Sequence, residues 1–219
     1  AMIVETVQGE GGLAACTMDW LKGIEEICRR HDILLILDDI QTGNGRTGPY
    51  FSFEEAGISP DVVTLSKSIS GFGLPMALTL VKPEHDIWEP GEHNGTFRGN
   101  NHAFVTAKRA LELYWSDDAL QRETERKAER IHQALQALID KYPAAGGEHR
   151  GRGMMRGIRF TADKELASTV SDVAFEHGMI IETSGPDDDV LKLLPPLIID
   201  DADLEAGLAI IDRALGEAL

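Results

Sequence analysis

Three short apolar segments, each followed by polar residues, constrain the fold of this chain more than any other feature. Segments 2–5, 33–37 and 62–65 are rich in Val, Ile and Leu. The run at 33–37 is continuously apolar, which is typical of a parallel strand covered on both faces. Segment 18–30 carries apolar residues at helical spacing, and segment 76–81 predicts a fourth strand. Strands that alternate with helices predict right-handed crossovers and a mostly parallel α/β sheet.

The predicted strands end in groups that could carry out chemistry. Asp38 follows the second strand, Lys67 follows the third, and Glu10 lies in a glycine-rich loop after the first. Ligands of such sheets bind beyond the carboxyl ends of the strands. Burial lowers the pKa of a lysine and makes its neutral amine available for Schiff-base formation, and a nearby carboxylate could hold a pyridinium proton. The alternative is a surface lysine with two solvated loop carboxylates.

Composition and charge exclude several classes of protein. The chain has 219 residues, 42% of them hydrophobic, and a formal charge of −16. This charge argues against a nucleic-acid partner, whose phosphates would be repelled. No run of about 18 apolar residues predicts a membrane span. Cys16 and Cys28 have no zinc-like spacing and are expected to be reduced thiols of a cytoplasmic protein, and no histidine spacing predicts a metal site. One helical pattern ends at Trp115 and residues 116–118 resemble the start of another helix. We therefore predict a domain boundary near Trp115, with one domain at 1–115 and a small α/β domain at 116–219.

Five segments together resemble one enzyme family. They read ETVQGEGG at 5–12, LDDIQTGNGRTG at 37–48, DVVTLSK at 61–67, GTFRGN at 95–100 and LKLLPPL at 191–197. In this order they resemble the class III, pyridoxal-phosphate-dependent aminotransferases of fold type I. The resemblance implies that residues 1–115 are the C-terminal part of the large, mostly parallel-sheet domain that binds pyridoxal 5'-phosphate. Residues 116–219 would be the small C-terminal domain.

The resemblance also implies roles for individual residues. Lys67 would form the Schiff base with the cofactor and shuttle the proton, and Asp38 would pair with the pyridine nitrogen. Gln41 would lie near the phenolic oxygen of the ring, and Thr96 would bind the cofactor phosphate across the interface of a homodimer or higher oligomer. Without the resemblance, Gln41 is more simply a turn residue and Thr96 an ordinary loop threonine.

Two positions depart from the family pattern. Thr6 follows Glu5 where relatives commonly have proline, and Lys192 stands where relatives usually carry the arginine that binds an α-carboxylate. A lysine is a point charge and cannot make the planar bidentate contact of a guanidinium. Carboxylate binding would therefore be looser, or another cation would share the task. Glu10 is expected to face Lys192 as a switchable partner; a structural salt bridge, or a simple strand-edge charge at Lys192, is the alternative.

Segments 66–76 and 89–104 most resemble the diaminobutyrate–2-oxoglutarate branch of the family, which serves ectoine biosynthesis. The expected reaction transfers an amino group from glutamate to aspartate β-semialdehyde. An ornithine or 4-aminobutyrate type of enzyme is the first alternative. A non-catalytic fragment is the second, since family members carry a phosphate-binding loop upstream of the strand at 2–5. We therefore expect the 219-residue chain alone to bind pyridoxal phosphate poorly.

Overall fold

The computed structural model describes residues 1–95 and 98–219, which form two compact units. The first unit contains residues 1–6, 16–45 and 49–122, and the second contains residues 7–15, 46–48 and 123–219. Each unit has its own sheet and its own apolar core. The domain division expected between residues 115 and 116 stays a prediction.

The first unit is built on a four-stranded sheet in the order β1-β2-β3-β4. Its strands are β1 (Met2–Val4), β2 (Leu35–Asp38), β3 (Val62–Leu65) and β4 (Leu78–Val81). The first three are parallel and β4 is antiparallel to β3, which confirms the predicted mostly parallel sheet and its four strands. The helices are α1 (Met18–Arg30) and α2 (Asn101–Tyr114), with short 3-10 helices at Glu54–Ala56, Lys67–Ser70 and Pro83–His85.

Helix α1 shows how the sequence pattern produces the first core. Thr17 caps its N-terminus, since the hydroxyl oxygen accepts the N–H of Trp20 at 3.1 Å. Leu21 and Cys28 lie seven residues apart on one face and are buried against the apolar side chains of β2 and β3. Burying each such side chain stabilises the fold by about 1.5–3 kcal/mol. Both cysteines of the chain are free thiols.

Asp61 ties three elements of this sheet together from the residue before β3. One carboxylate oxygen accepts the backbone N–H of Leu35 at 2.8 Å, and the other lies 3.0 Å from the Lys82 ammonium. Burial raises the pKa of Asp61, but the hydrogen bonds from Leu35 and Lys82 outweigh it and leave the pKa below its ordinary value. Asp61 therefore stays charged and holds β2 and the end of β4 in register.

The second unit contains an antiparallel sheet in the order β5-β6-β8-β7. Its strands are β5 (Gly147–Arg152), β6 (Met155–Phe160), β7 (Glu182–Ser184) and β8 (Val190–Leu193). Its helices are α3 (Ala119–Lys141), α4 (Leu166–Glu176) and α5 (Asp201–Ala218), with a 3-10 helix at Pro143–Ala145. The helices bury apolar side chains such as Ile131, Val170 and Ile211 against Leu191 and Leu193 of β8. Among the described residues, no helix combines the length and the apolar character that a membrane span needs.

Two strands of this unit differ from the sequence prediction. The apolar segment 179–182 predicts a strand, but this prediction is wrong, because the strand that pairs with β8 covers Glu182–Ser184. Met179 and Ile181 pack against the apolar core of the second unit. Their alternating spacing therefore resembles the pattern of a strand. No sequence pattern predicts strand β5, since Gly147–Arg152 is polar and carries no alternating apolar residues.

Strand β8 presents different residues to the two faces of its sheet. Leu191 and Leu193 face the helices, whereas Val190 lies in a second apolar cluster with Val7, Leu13 and Met155. Alternation along a strand therefore places Lys192 on the face that segment 7–15 covers. The same segment carries Glu10.

A histidine pair joins α3 to β5. Nδ1 of His132 lies 3.0 Å from Nε2 of His149, and the two rings meet edge to face. Burial, together with the nearby charges of Arg156 and His132, lowers the pKa of His149 from its ordinary value of 6.5 to about 4. Glu129 of α3 acts in turn on the Arg156 guanidinium. His149 is thus held in its neutral form in the folded protein.

We expect this pair to make stability depend on pH between about 6.5 and 4. As the pH falls, the unfolded chain protonates His149 first, so the free energy of unfolding should decrease by about 2 kcal/mol, after a discount for solvent screening. Above pH 6.5, His149 is neutral in both the folded and the unfolded protein, so it does not make the free energy of unfolding depend on pH. Urea unfolding at a series of pH values should show a smaller decrease for His149→Gln. The exposed-site variant His31→Gln should follow the native protein, and equal slopes in all three would contradict the expectation.

Candidate active site

The two aspartates after β2 have different roles in the structure. Asp39 is fully buried, and its carboxylate accepts the Thr42 hydroxyl at 2.6 Å and the backbone N–H of Ser52 at 3.0 Å. Asp38 is only partly buried, and one of its oxygens accepts the backbone N–H of Ile40 at 3.1 Å. Asp39 is therefore a structural residue of the turn. Among residues 1–95 and 98–219, no hydrogen bond engages the second carboxylate oxygen of Asp38.

Lys67 lies just beyond the end of β3, at the first position of the short helix Lys67–Ser70. Its φ is +51°, a left-handed conformation that costs a residue with a side chain on the order of 1–2 kcal/mol. Strain of this kind is concentrated at functional sites. The burial expected for the Lys67 ammonium is wrong, since the residue is exposed. The reason is that the sheet ends at Leu65 and the lysine projects past its edge.

Strand pairing brings the ends that carry Asp38 and Lys67 to the same edge of the sheet. Asp38 is the last residue of β2 and lies in register with Thr64 of the parallel strand β3, three residues before Lys67. Gln41 lies in the turn that follows β2 and is partly buried. Thr96 lies outside the described residues, so its contact with a cofactor phosphate stays a prediction.

The structure pairs Lys192 with two carboxylates in the second unit. The ammonium lies 3.1 Å from Oε1 of Glu10 and 3.0 Å from Oε2 of Glu182. The Lys192 side chain is 1% exposed, while those of Glu10 and Glu182 are 79% and 64% exposed. A buried ammonium has lost its hydration and depends on such partners. The expected contact between Glu10 and Lys192 is present, and the contact with Glu182 was not predicted.

The loop that carries Glu10 is fixed through its backbone to the end of β7. The Ser184 hydroxyl donates to the carbonyl of Gly9 at 3.0 Å and accepts the N–H of Gly12 at 3.2 Å. The N–H of Gly185 donates to the carbonyl of Glu10 at 3.2 Å. The Glu10 backbone is thus held in place, while its side chain is 79% exposed. Leu13 follows in a left-handed conformation with φ of +57°.

Arg46 is a residue whose contact the sequence did not reveal. Its Nη1 donates to the carbonyl of Pro195 at 2.5 Å and lies 3.5 Å from the carbonyl of Met154. Desolvation lowers the pKa of Arg46 to about 10. No carboxylate among residues 1–95 and 98–219 forms an ion pair with it. Arg46 lies within the second family segment, but its partner is a backbone carbonyl, which leaves no mark on the sequence.

The groups at the edge of the first sheet fit pyridoxal phosphate. Within the described part of the chain, no hydrogen bond or ion pair engages the Lys67 amine, so it is available for a covalent bond to an aldehyde. Asp38 supplies a carboxylate whose orientation the Ile40 N–H fixes. Such a cofactor requires a nucleophilic amine at its aldehyde and a hydrogen-bond acceptor at its protonated ring nitrogen, and these two groups supply them.

Comparison with protein families decides the assignment of the chain. The model of the class-III aminotransferases matches residues 1–215. The chain belongs to the class III aminotransferase family. Members of this family depend on pyridoxal phosphate. This result confirms the resemblance that the five sequence segments indicated and the fold type I architecture that it implied.

Two relatives of this class III aminotransferase chain carry the same enzyme name. The chain is 58% identical to a diaminobutyrate–2-oxoglutarate transaminase of Bordetella parapertussis. The aligned 219 residues are 100% of this chain and 50% of the relative. The enzyme of the same name from Halalkalibacterium halodurans is 58% identical over 216 residues, which cover 98% of the chain and 50% of the relative. The chain thus spans about half the length of the curated relatives it matches.

Solved structures show the same fold. The N-acetylornithine aminotransferase of Stenotrophomonas maltophilia superposes with a TM-score of 0.85 at 30% identity, over 98% of this chain and 56% of that one. The ornithine aminotransferase of Toxoplasma gondii, described with partial occupancy of PLP at its active site, gives a TM-score of 0.89 at 30% identity. The superposition covers 99% of this chain and 50% of the Toxoplasma gondii chain.

Proposed function

We propose that this protein transfers an amino group from glutamate to aspartate β-semialdehyde, giving 2,4-diaminobutyrate and 2-oxoglutarate. The observation that carries the chemistry is the Lys67 amine, exposed and unengaged by the described residues, beside the strand end that holds Asp38. The choice of substrates is supported by relatives at 53–58% identity that are named diaminobutyrate–2-oxoglutarate transaminase.

Each residue would have a defined task. Pyridoxal phosphate, when bound, supplies an electron sink for the charge that develops at the carbon bearing the amino group. Lys67 would hold the cofactor through Nζ and, as a free amine, accept and return the proton of that carbon. Asp38 would accept a hydrogen bond from the ring nitrogen, and Gln41 and Thr96 would contact the ring oxygen and the phosphate.

Lys192 would bind the carboxylate of glutamate, and Glu10 would neutralise the ammonium when no substrate carboxylate is present. The 3.1 Å contact between Glu10 and Lys192 supports this exchange, as does the fixed backbone of the Glu10 loop. A lysine makes a weaker and less directional contact with a carboxylate than an arginine. The affinity for glutamate is therefore expected to be moderate.

We also propose a cytoplasmic, homodimeric enzyme of the ectoine pathway. Helix α2 supports association, because large apolar side chains lie exposed along it, among them Phe104, Val105 and Leu113. Exposed apolar residues grouped in this way are typical of surfaces that bind another protein.

A substrate comparison tests the proposed reaction. The holoenzyme is supplied with glutamate and one of three acceptors: aspartate β-semialdehyde, glutamate semialdehyde or succinate semialdehyde. We expect kcat/KM for aspartate β-semialdehyde to exceed that for glutamate semialdehyde by about 10-fold or more, since one extra methylene costs about 1–3 kcal/mol in a fitted site. The value for succinate semialdehyde should be lower by at least as much, because this acceptor lacks the amino group of the other two. A preference for glutamate semialdehyde would identify an ornithine type of enzyme, and one for succinate semialdehyde a 4-aminobutyrate type.

A further inference from the structure

Lys192 forms an ion pair with Glu182 in addition to its contact with Glu10. We propose that Glu182 is a specificity-determining residue, which shares the Lys192 ammonium with Glu10 and weakens its hold on the carboxylate of an amino donor. This inference rests on the proposed function and extends it, since it concerns how tightly the carboxylate site binds. It follows from the geometry of three charged side chains in the second unit.

Strand pairing fixes Glu182 beside Lys192. The two residues are direct partners in the antiparallel ladder of β7 and β8, so their side chains leave the sheet on the same face. On the other side of Lys192 the direct partner is Gly157 of β6, which has no side chain to offer. Glu10 approaches from the loop above that face. The ammonium is therefore held between one carboxylate on a strand and one on a loop.

The balance of charge opposes a third carboxylate. One ammonium and two carboxylates leave a net charge of −1 around a lysine side chain that is 1% exposed. Glu10 accepts a hydrogen bond from the ammonium, and Glu182 forms an ion pair with it at 3.0 Å. A substrate carboxylate must displace a glutamate or join both at the cost of like-charge repulsion. A carboxylate that displaces Glu10 would still meet Glu182, whose position beside Lys192 is set by the register of β7 with β8.

The two half-reactions place different demands on this cation. The reacting amino group of glutamate shares its carbon with a carboxylate, whereas the reacting amino group of 2,4-diaminobutyrate is on C4, which carries none. Lys192 must therefore bind the substrate carboxylate in the glutamate half-reaction. In the diaminobutyrate half-reaction it must stay paired with carboxylates of the protein. Glu182 supplies a permanent partner in both. Its presence keeps the buried cation paired when Glu10 leaves, and it also reduces the positive charge offered to glutamate.

Replacing Glu182 with glutamine tests this role. Glutamine keeps the shape and an oxygen that can accept from Lys192, but it removes one negative charge. We expect the dissociation constant of glutarate, measured on the holoenzyme by titration calorimetry, to decrease by about 3- to 10-fold in Glu182→Gln. The KM for glutamate should decrease in parallel, while the KM for 2,4-diaminobutyrate should not decrease.

A matched control and two contrary outcomes make the test decisive. Glu148→Gln removes a carboxylate from β5 of the same sheet, where Glu148 pairs with Arg150 rather than with Lys192, and should leave the glutarate affinity unchanged. Unchanged or weaker glutarate binding in Glu182→Gln overturns the proposal, as does the absence of glutarate binding in both forms. Failure of the proposed reaction would appear separately, as a native enzyme that does not use aspartate β-semialdehyde.

Discussion

Replacing Lys67 with alanine is expected to lower kcat by about 10³-fold or more, because general acid–base catalysis alone contributes about 10²- to 10⁴-fold and the covalent role is lost as well. The amine is exposed and unengaged by the described residues, so its removal should not disturb a structural ion pair. The strained φ of +51° at this position is consistent with a residue retained for its chemistry. The measurement is the steady-state rate of the holoenzyme with glutamate as donor.

A second readout separates a chemical role for Lys67 from a structural one. Borohydride reduction followed by mass spectrometry should place the mass of the cofactor on the peptide that contains Lys67. The same mass should be absent from Lys67→Ala and from Lys67→Arg, which keeps the positive charge. Lys22→Ala, a change at an exposed lysine of α1 whose ammonium lies 3.6 Å from Asp19, should retain native activity and labelling. Cofactor mass on any other lysine would refute the assignment.

Replacing Asp38 with asparagine is expected to lower kcat by about 10²- to 10⁴-fold, the range found when a charged or proton-transferring group of an active site is removed. Asparagine keeps an oxygen that can accept the N–H of Ile40, the contact that orients the native carboxylate. It lacks the negative charge that would stabilise a protonated ring nitrogen. The loss should therefore appear in turnover and not in folding.

Thermal unfolding provides the control for Asp38→Asn. Its Tm should lie close to that of the native protein, because the Ile40 contact and the partly exposed position are retained. The neighbouring variant Asp39→Asn should behave in the opposite way. Asp39 is fully buried and accepts hydrogen bonds from Thr42 and Ser52, so its loss leaves buried donors poorly paired and should lower the Tm. Native turnover in Asp38→Asn would exclude the proposed contact with the ring.

Much of the first unit could be predicted from the sequence, because its strands are local apolar runs. The strands at 35–38 and 62–65 coincide with the continuous apolar segments, and Asp38 and Lys67 follow from the positions where these segments stop. The burial of Lys67 could not be predicted in the same way. Exposure depends on which parts of the molecule cover a strand end, and no local pattern records that.

The second unit shows where local patterns fail. The polar edge strand β5 pairs along its backbone, and backbone hydrogen bonds do not require alternating apolar side chains. The apolar run before β7 resembles a strand, although Met179 and Ile181 pack against the apolar core of this unit and do not pair with β8. In both cases the decisive contacts lie between elements.

The sequence by itself determined the family, the parallel sheet and the lysine at its edge, since each depends on residues within a short segment. Only the tertiary structure decided the surroundings of Lys192. Glu10 and Lys192 are 182 residues apart along the chain, and Glu182 joins them through the register of β7 with β8. Arg46 likewise reaches the carbonyl of Pro195 across 149 residues. Contacts over such separations are set by how strands pair and loops dock, and charges there find partners that no periodicity along the chain encodes.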